Sequence, residues 1–179
     1  MSTAALPRIA SPVRRPARDL GPVVRATLAT GAALVAAPIV AALARAGLGL
    51  APHAGALREV ALAIHLASVV PALPLGAYVL LSRKGGARHR ILGKVWLVLM
   101  VVAALSAFFV RHLNGGRLSA IHLLVPVVLV TGWRVIASAR RGDLVAHRRA
   151  IVGLFVGGLL APGLLSLIPG RLMWTWLVG

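Results

Sequence analysis

Residues 121–148 read IHLLVPVVLVTGWRVIASARRGDLVAHR, and residues 64–90 read IHLASVVPALPLGAYVLLSRKGGARHR. Each stretch opens on Ile-His-Leu, runs through an apolar span to a basic pair and a glycine, and closes on His-Arg. His65 to Arg83 is 18 residues and His122 to Arg140 is 18 residues, so both anchors recur at an offset of 57. The last interval differs by one residue, since Gly85 to His89 is four and Gly142 to His147 is five. Two anchors at one offset in an apolar background make an internal repeat.

The background decides the class. Of the 179 residues, 59% are hydrophobic and 13% charged, about half the charge of an ordinary soluble domain. Long apolar runs account for the difference and place the chain among membrane proteins. Five such runs follow a basic lead-in: about 26–44, 60–81, 91–110, 118–139 and 150–168. Each approaches the ~20 residues that a helix needs to cross a hydrocarbon core of about 30 Å. Strands are disfavoured, because no run alternates apolar with polar residues. The expected fold is an all-α integral membrane protein of five transmembrane helices. Pro71, Pro74, Pro126 and Pro162 fall inside runs and predict kinks.

Charge sets the orientation. The net charge is +17, from 20 Lys and Arg against Asp19, Glu59 and Asp143. The cations punctuate apolar runs and never line a soluble basic face, so they read as topology signals and contacts to anionic lipid head groups, not as a nucleic-acid surface. The tail and successive connections carry 5, 2, 5, 2, 5 and 1 Lys or Arg. This alternation predicts a cytoplasmic N-terminus, five crossings and an outside C-terminus, with Trp174 and Trp176 as an outer aromatic anchor. Residues 1–25 read as a basic cytoplasmic tail and 26–179 as the membrane domain, with repeat units of about 57–111 and 118–171. A cleaved signal peptide is disfavoured by the long n-region, and Pro16 after Arg14-Arg15 does not fit a twin-arginine signal. The second and fourth runs then cross in the same direction. The last four helices become a bundle of two parallel-repeat hairpins.

The orientation also sorts the histidines. At ~1.5 Å per residue, His65 lies roughly 27 Å from the collar at Arg83, and His122 the same distance from Arg140. His65 and His122 form an outer pair inside the membrane, where ionisable groups are costly and usually partnered. His89 and His147 form an inner pair at the mouths of the third and fifth helices, flanked by Arg88, Arg90, Arg148 and Arg149. Two readings stay open. The outer histidines are interior residues bonded to carbonyls or to each other, or they are axial ligands of a bis-histidine haem. The inner ones are interfacial cations snorkelling toward phosphates, or haem ligands whose arginines meet the propionates. Gly93 and Gly153 admit a macrocycle or serve close helix packing. His53 and His112 fall in or near outer connections and are expected to be solvated, or to help bind zinc or copper if the outer site is a metal site.

Other chemistry is excluded by absence from the sequence. There is no cysteine, hence no disulfide, thiolate site or cysteine nucleophile. The scarcity of carboxylates argues against paired-acid hydrolases and against carriers driven through an intramembrane acid. No phosphate-binding glycine loop, HExxH or GxSxG motif is present.

Arg83-Lys84-Gly85, His89-Arg90, Gly93, Ile121-His122, Arg140-Arg141-Gly142 and His147-Arg148-Arg149 together resemble a bacterial family of uncharacterised predicted multi-pass membrane proteins over about residues 57–171. That resemblance implies a multi-pass protein of the bacterial inner membrane. Members often carry an aromatic after the last His-Arg-Arg, where this chain has Ala150. In layout, the chain is also similar to transmembrane two-haem b-type cytochromes reduced by ascorbate or quinol. That similarity implies haem b held by His65 with His122 and by His89 with His147, and electron transfer with a quinol or other small donor. The inner histidines depart from it by lying at helix mouths. The alternative is a cofactor-free or metal-binding scaffold, assembly or permeation protein.

Overall fold

A computed structural model describes residues 20–82, 84–110 and 120–179. Arg83, Arg111, His112, Arg117 and most of the basic tail lie outside the described residues. The described chain is helical, with no strand. Helix α1 spans Pro22–Gly47, α2 Val60–Leu81, α3 Ala87–Phe109 and α4 Leu124–Arg140. Helix α5 runs Leu144–Ser166 and a short α6 follows at Leu172–Val178. Four of these, α1, α2, α3 and α5, are long and apolar enough to cross a membrane. Helix α4 has 17 residues, extended at its start by a 3₁₀ turn over Ala120–Leu123.

The helices start closer to the basic residues than hydropathy suggests. Helix α3 begins at Ala87 and α5 at Leu144, so Arg88–Arg90 and His147–Arg149 are helical rather than connecting residues. Arginine is a good helix former and keeps its head group in water while its stem lies along the helix. Pro22 opens α1 at its first position, where no intrahelical N–H bond is lost; residues 22–25 therefore belong to the first helix and not to a tail.

The prolines act by position. Pro71 and Pro74 sit inside α2, whereas Pro126 falls in the first turn of α4, where its missing N–H would be unbonded anyway. Pro126 therefore shapes the helix entry and does not kink its middle. Pro162 follows a π-helical turn at Val156–Leu160 within α5. Widening that turn moves the carbonyls upstream of Pro162 away from its ring. Pro38 lies inside α1 and adds a further break in backbone hydrogen bonding.

Helix α2 pairs with α3 across residues 82–86, and α4 pairs with α5 across residues 141–143. Contacts of α3 with α4 and of α2 with α5 close the group, while α1 packs on α2 and on α6. Both tight connections turn on a glycine in the left-handed region, Gly85 at φ +88° and Gly142 at φ +72°. A Cβ there would clash with the following carbonyl, so glycine is needed. These two glycines stand 57 residues apart in the sequence, the spacing of the repeat.

At the centre, Trp96 on α3 and Phe155 on α5 are fully buried, with ring centroids 6.5 Å apart. Trp96 fits because Gly76 on α2 has no side chain; its Nε1 donates to the Ala72 carbonyl at 3.0 Å. Met100 fills the space beside Gly158 in the same way. In lipid, close packing and interhelical hydrogen bonds, not water exclusion, hold helices together. A second cluster joins Ala42 and Ala46 of α1, Leu62 of α2 and Met173 and Trp176 of α6.

That cluster corrects one expectation. Trp176 is wholly buried, not an interfacial anchor, while Trp174 is partly exposed. The cause is Arg45, whose guanidinium donates to the Trp176 carbonyl at 3.0 Å and to the Gly179 oxygen at 2.7 Å. These bonds hold α6 down on α1 and turn the Trp176 ring inward.

Candidate functional site

The histidines are set by which helix face carries them. His65, one turn into α2, directs Nδ1 to the Ala103 carbonyl of α3 at 2.9 Å. A backbone carbonyl can only accept, so Nδ1 carries the proton and Nε2 the lone pair. His122, in the 3₁₀ turn that leads into α4, is buried and meets Phe108 of α3 edge to face, centroids 6.1 Å apart. Both outer rings therefore turn to α3, five residues apart along it.

The inner histidines come together at the basic end. His147 of α5 donates Nδ1–H to the Val135 carbonyl of α4 at 3.0 Å. His89 of α3 lies within electrostatic range of both His147 and Lys84. Its Nδ1 is buried and bonds to no described residue. His89 also lines an open cleft of about 470 Å³ with Tyr78, Ser82, Lys84, Gly86 and Arg88. His147 Nε2 makes no hydrogen bond among the described residues, behind a carbonyl-fixed Nδ1, an arrangement common among ligating histidines. Between the inner and outer levels the bundle is filled by Trp96, Met100 and Phe155.

The cations divide by what they touch. Lys84 Nζ caps the end of α2 through the Val79 carbonyl, at 3.2 Å, and the Leu80 carbonyl, while Arg25 of α1 donates to the Leu81 carbonyl at 3.0 Å. Positive groups at a helix C-terminus satisfy its last carbonyls and complement its dipole. Arg90 closes the turn by donating to the Gly85 carbonyl at 3.3 Å. Arg88 stands in the wall of the His89 cleft. Arg148 is partly exposed, and Arg149, two residues from His147 and about 200° around the helix, lines a different cleft, between α4 and α5. Gly153 lines that same cleft, and Gly93 has open space where a Cβ would stand. His53 is exposed in the connection after α1 with a left-handed backbone, φ 56°.

Asp143 marks a chemical difference between the two connections. Its carboxylate accepts from the Ala146 N–H at 2.9 Å and caps α5, whereas α3 begins after Gly86 with no side-chain cap. Among the described residues, no group of three or more histidines and acids is gathered as a metal site.

This helical, histidine-bearing, cation-collared chain can be set beside known proteins. Residues 62–176 match the family described as predicted membrane protein (DUF2306). The chain belongs to that family. The match begins in the first turn of α2 and ends in α6, taking in both repeated stretches, 64–90 and 121–148, and leaving α1 outside. No curated protein and no solved structure matches the chain.

Sequence reasoning missed two things here. One is the lock of Trp96 over Gly76, which a lone glycine in an apolar run does not announce. The other is the convergence of Arg134, Arg141 and Arg149, whose signal was the polar spacing of Thr131, Arg134, Ser138 and Arg141 along α4.

Proposed function

We propose that the protein is a cofactor-free integral membrane scaffold of five crossings, in which histidines tie helices together. Its work is done through its membrane-embedded surface and basic collar. One observation carries this reading: His65 and His147 each use Nδ1 to tie their own helix to the hairpin partner, at Ala103 and Val135. Trp96 does the same at Ala72, so the three ties are equivalent in kind. The interior they enclose is filled by side chains.

The fifth crossing rests on length. The 3₁₀ turn at 120–123 and α4 together extend about 33 Å at ~2.0 and ~1.5 Å per residue, enough for a core of about 30 Å. With five crossings the two glycine turns fall on the same, cytoplasmic side, the N-terminus is cytoplasmic and the C-terminus is outside. The two hairpins are then parallel repeats, and a cell membrane such as the bacterial inner membrane is where such an arginine bias is read.

A second reading is favoured by the inner pair alone. His89 and His147 would hold haem b, with Arg88 nearest among the cations, and the iron would supply one-electron chemistry. The Nδ1 of His89, buried without a described partner, supports it.

Protein purified from haem-replete cells separates the two. The scaffold reading expects no Soret band and less than one tenth of an equivalent of iron, zinc or copper. A Soret band that His89→Ala and His147→Ala abolish would replace it with the haem reading.

A further inference from the structure

The second cleft is walled by Thr131, Arg134, Ser138 and Arg141 from α4 and its end, and by Arg149 and Gly153 from α5. It is open and measures about 700 Å³. Three arginines line it against one acid, Asp143, whose carboxylate already accepts from the Ala146 N–H. Among the described residues, the side chains of Arg134, Arg141 and Arg149 make no hydrogen bond and no ion pair. Three unneutralised cations around one space repel one another, and a bound anion removes that cost.

Depth indicates what carries the anion. Arg134 lies six residues before Arg140, about 9 Å further into the membrane, on a helix whose exposed neighbours are Val127, Val130 and Trp133. A charged side chain at that depth is costly unless it meets a counter-charge. A soluble anion would have to shed its water to reach it. A phosphate already attached to acyl chains arrives with those chains beside the apolar flank of α4. Gly153 leaves room for them, since nothing lies within 4 Å of where its Cβ would be. Arginine suits the ligand, because its planar fork bonds two phosphate oxygens at once.

We propose that the α4–α5 cleft is a specific seat for the phosphate of an anionic phospholipid, clamped by Arg134, Arg141 and Arg149. The seat rests on the proposed crossing of the membrane by α4, and it stands whether or not the histidines bind a cofactor. It differs from the diffuse attraction of a basic collar in having one stoichiometric site.

The test uses the full chain in phosphatidylcholine nanodiscs with rising phosphatidylglycerol, and native mass spectrometry to count retained lipids. The wild type should retain one phosphatidylglycerol. Arg134→Gln with Arg149→Gln should weaken retention about 100-fold, roughly tenfold for each charge-assisted contact. Arg140→Gln with Lys94→Gln removes the same charge from exposed positions outside the cleft and should change retention less than threefold. Gly153→Leu, which keeps every charge and narrows the cleft where the acyl chains would lie, should weaken retention at least tenfold; it covers the case in which the arginine variant does not fold. Equal loss in the two double variants, or full retention in Gly153→Leu, would overturn the seat. Displacement of the lipid by equimolar inorganic phosphate would overturn the lipid as its occupant in favour of a soluble phosphate.

Discussion

Replacing Gly76 by alanine tests the centre of the bundle. A Cβ at this position would stand 2.5 Å from Trp96 Nε1, 2.8 Å from Trp96 Cε2 and 2.9 Å from Phe155 Cδ2. All three atoms belong to rings that are fully buried, so none can swing out into open space. Relieving the overlap requires a ring shift that breaks the Trp96 bond to Ala72. Overpacking of this kind costs about 1–3 kcal/mol, and a buried indole N–H left without its carbonyl costs about 1–3 kcal/mol more. Alanine returns at most about 1 kcal/mol through helix propensity. The expected net loss is about 3 kcal/mol. Gly132 on α4 is the matched control, buried but with nothing within 4 Å of its Cβ position. Gly132→Ala should be neutral or stabilising by up to about 1 kcal/mol. Unfolding of both variants in mixed micelles by rising sodium dodecyl sulfate, followed by far-ultraviolet circular dichroism, measures the difference. A Gly76→Ala protein as stable as Gly132→Ala would refute the packing described for Trp96.

Two further substitutions probe the ties and the cap. His65→Ala removes the histidine bond to the Ala103 carbonyl, which keeps the Ser106 hydroxyl as a donor at 3.1 Å, and should lower stability by about 0.5–1.5 kcal/mol in the same titration, with His65→Asn restoring part of it; equal stability of His65→Ala and wild type would remove the tie. Asp143→Ala deletes the cap of α5 and should cost about 1 kcal/mol, with Asp143→Asn nearly silent. Hydrogen exchange at Ala146 should quicken in the alanine variant alone, and unchanged exchange there would count against the cap.

The sequence made the helical class and most of the helix positions legible, because apolar runs of membrane length leave little choice of structure. It also exposed the repeat, and the left-handed glycines at 85 and 142 show why two glycines had to recur at one spacing. Helix ends were less legible. Hydropathy stops at an arginine, whereas a helix continues through it, so α3 and α5 begin several residues earlier than the apolar runs. Pro126 was read as a kink because its distance from the helix start depends on a 3₁₀ turn that periodicity does not reveal. Trp176 was misplaced because its burial depends on Arg45, 131 residues away. Among candidate site residues, the sequence named the inner histidines and the arginines but could not say which way each side chain turns. Arg149 faces a cleft on the far side of its helix from His147, and only the helix pairing decides that.

The proposed five crossings place two repeated hairpins in the same orientation. The chain has no cysteine, so single cysteines can be introduced at Gly86, Arg141, Gly55 and Val178, all exposed, and labelled with a membrane-impermeant maleimide in intact cells and in inverted vesicles. The expected result is labelling of positions 86 and 141 only from the cytoplasmic side, and of 55 and 178 only from the outside. Labelling of 86 and 141 from opposite sides would contradict the shared orientation of the hairpins and, with it, the five-crossing topology.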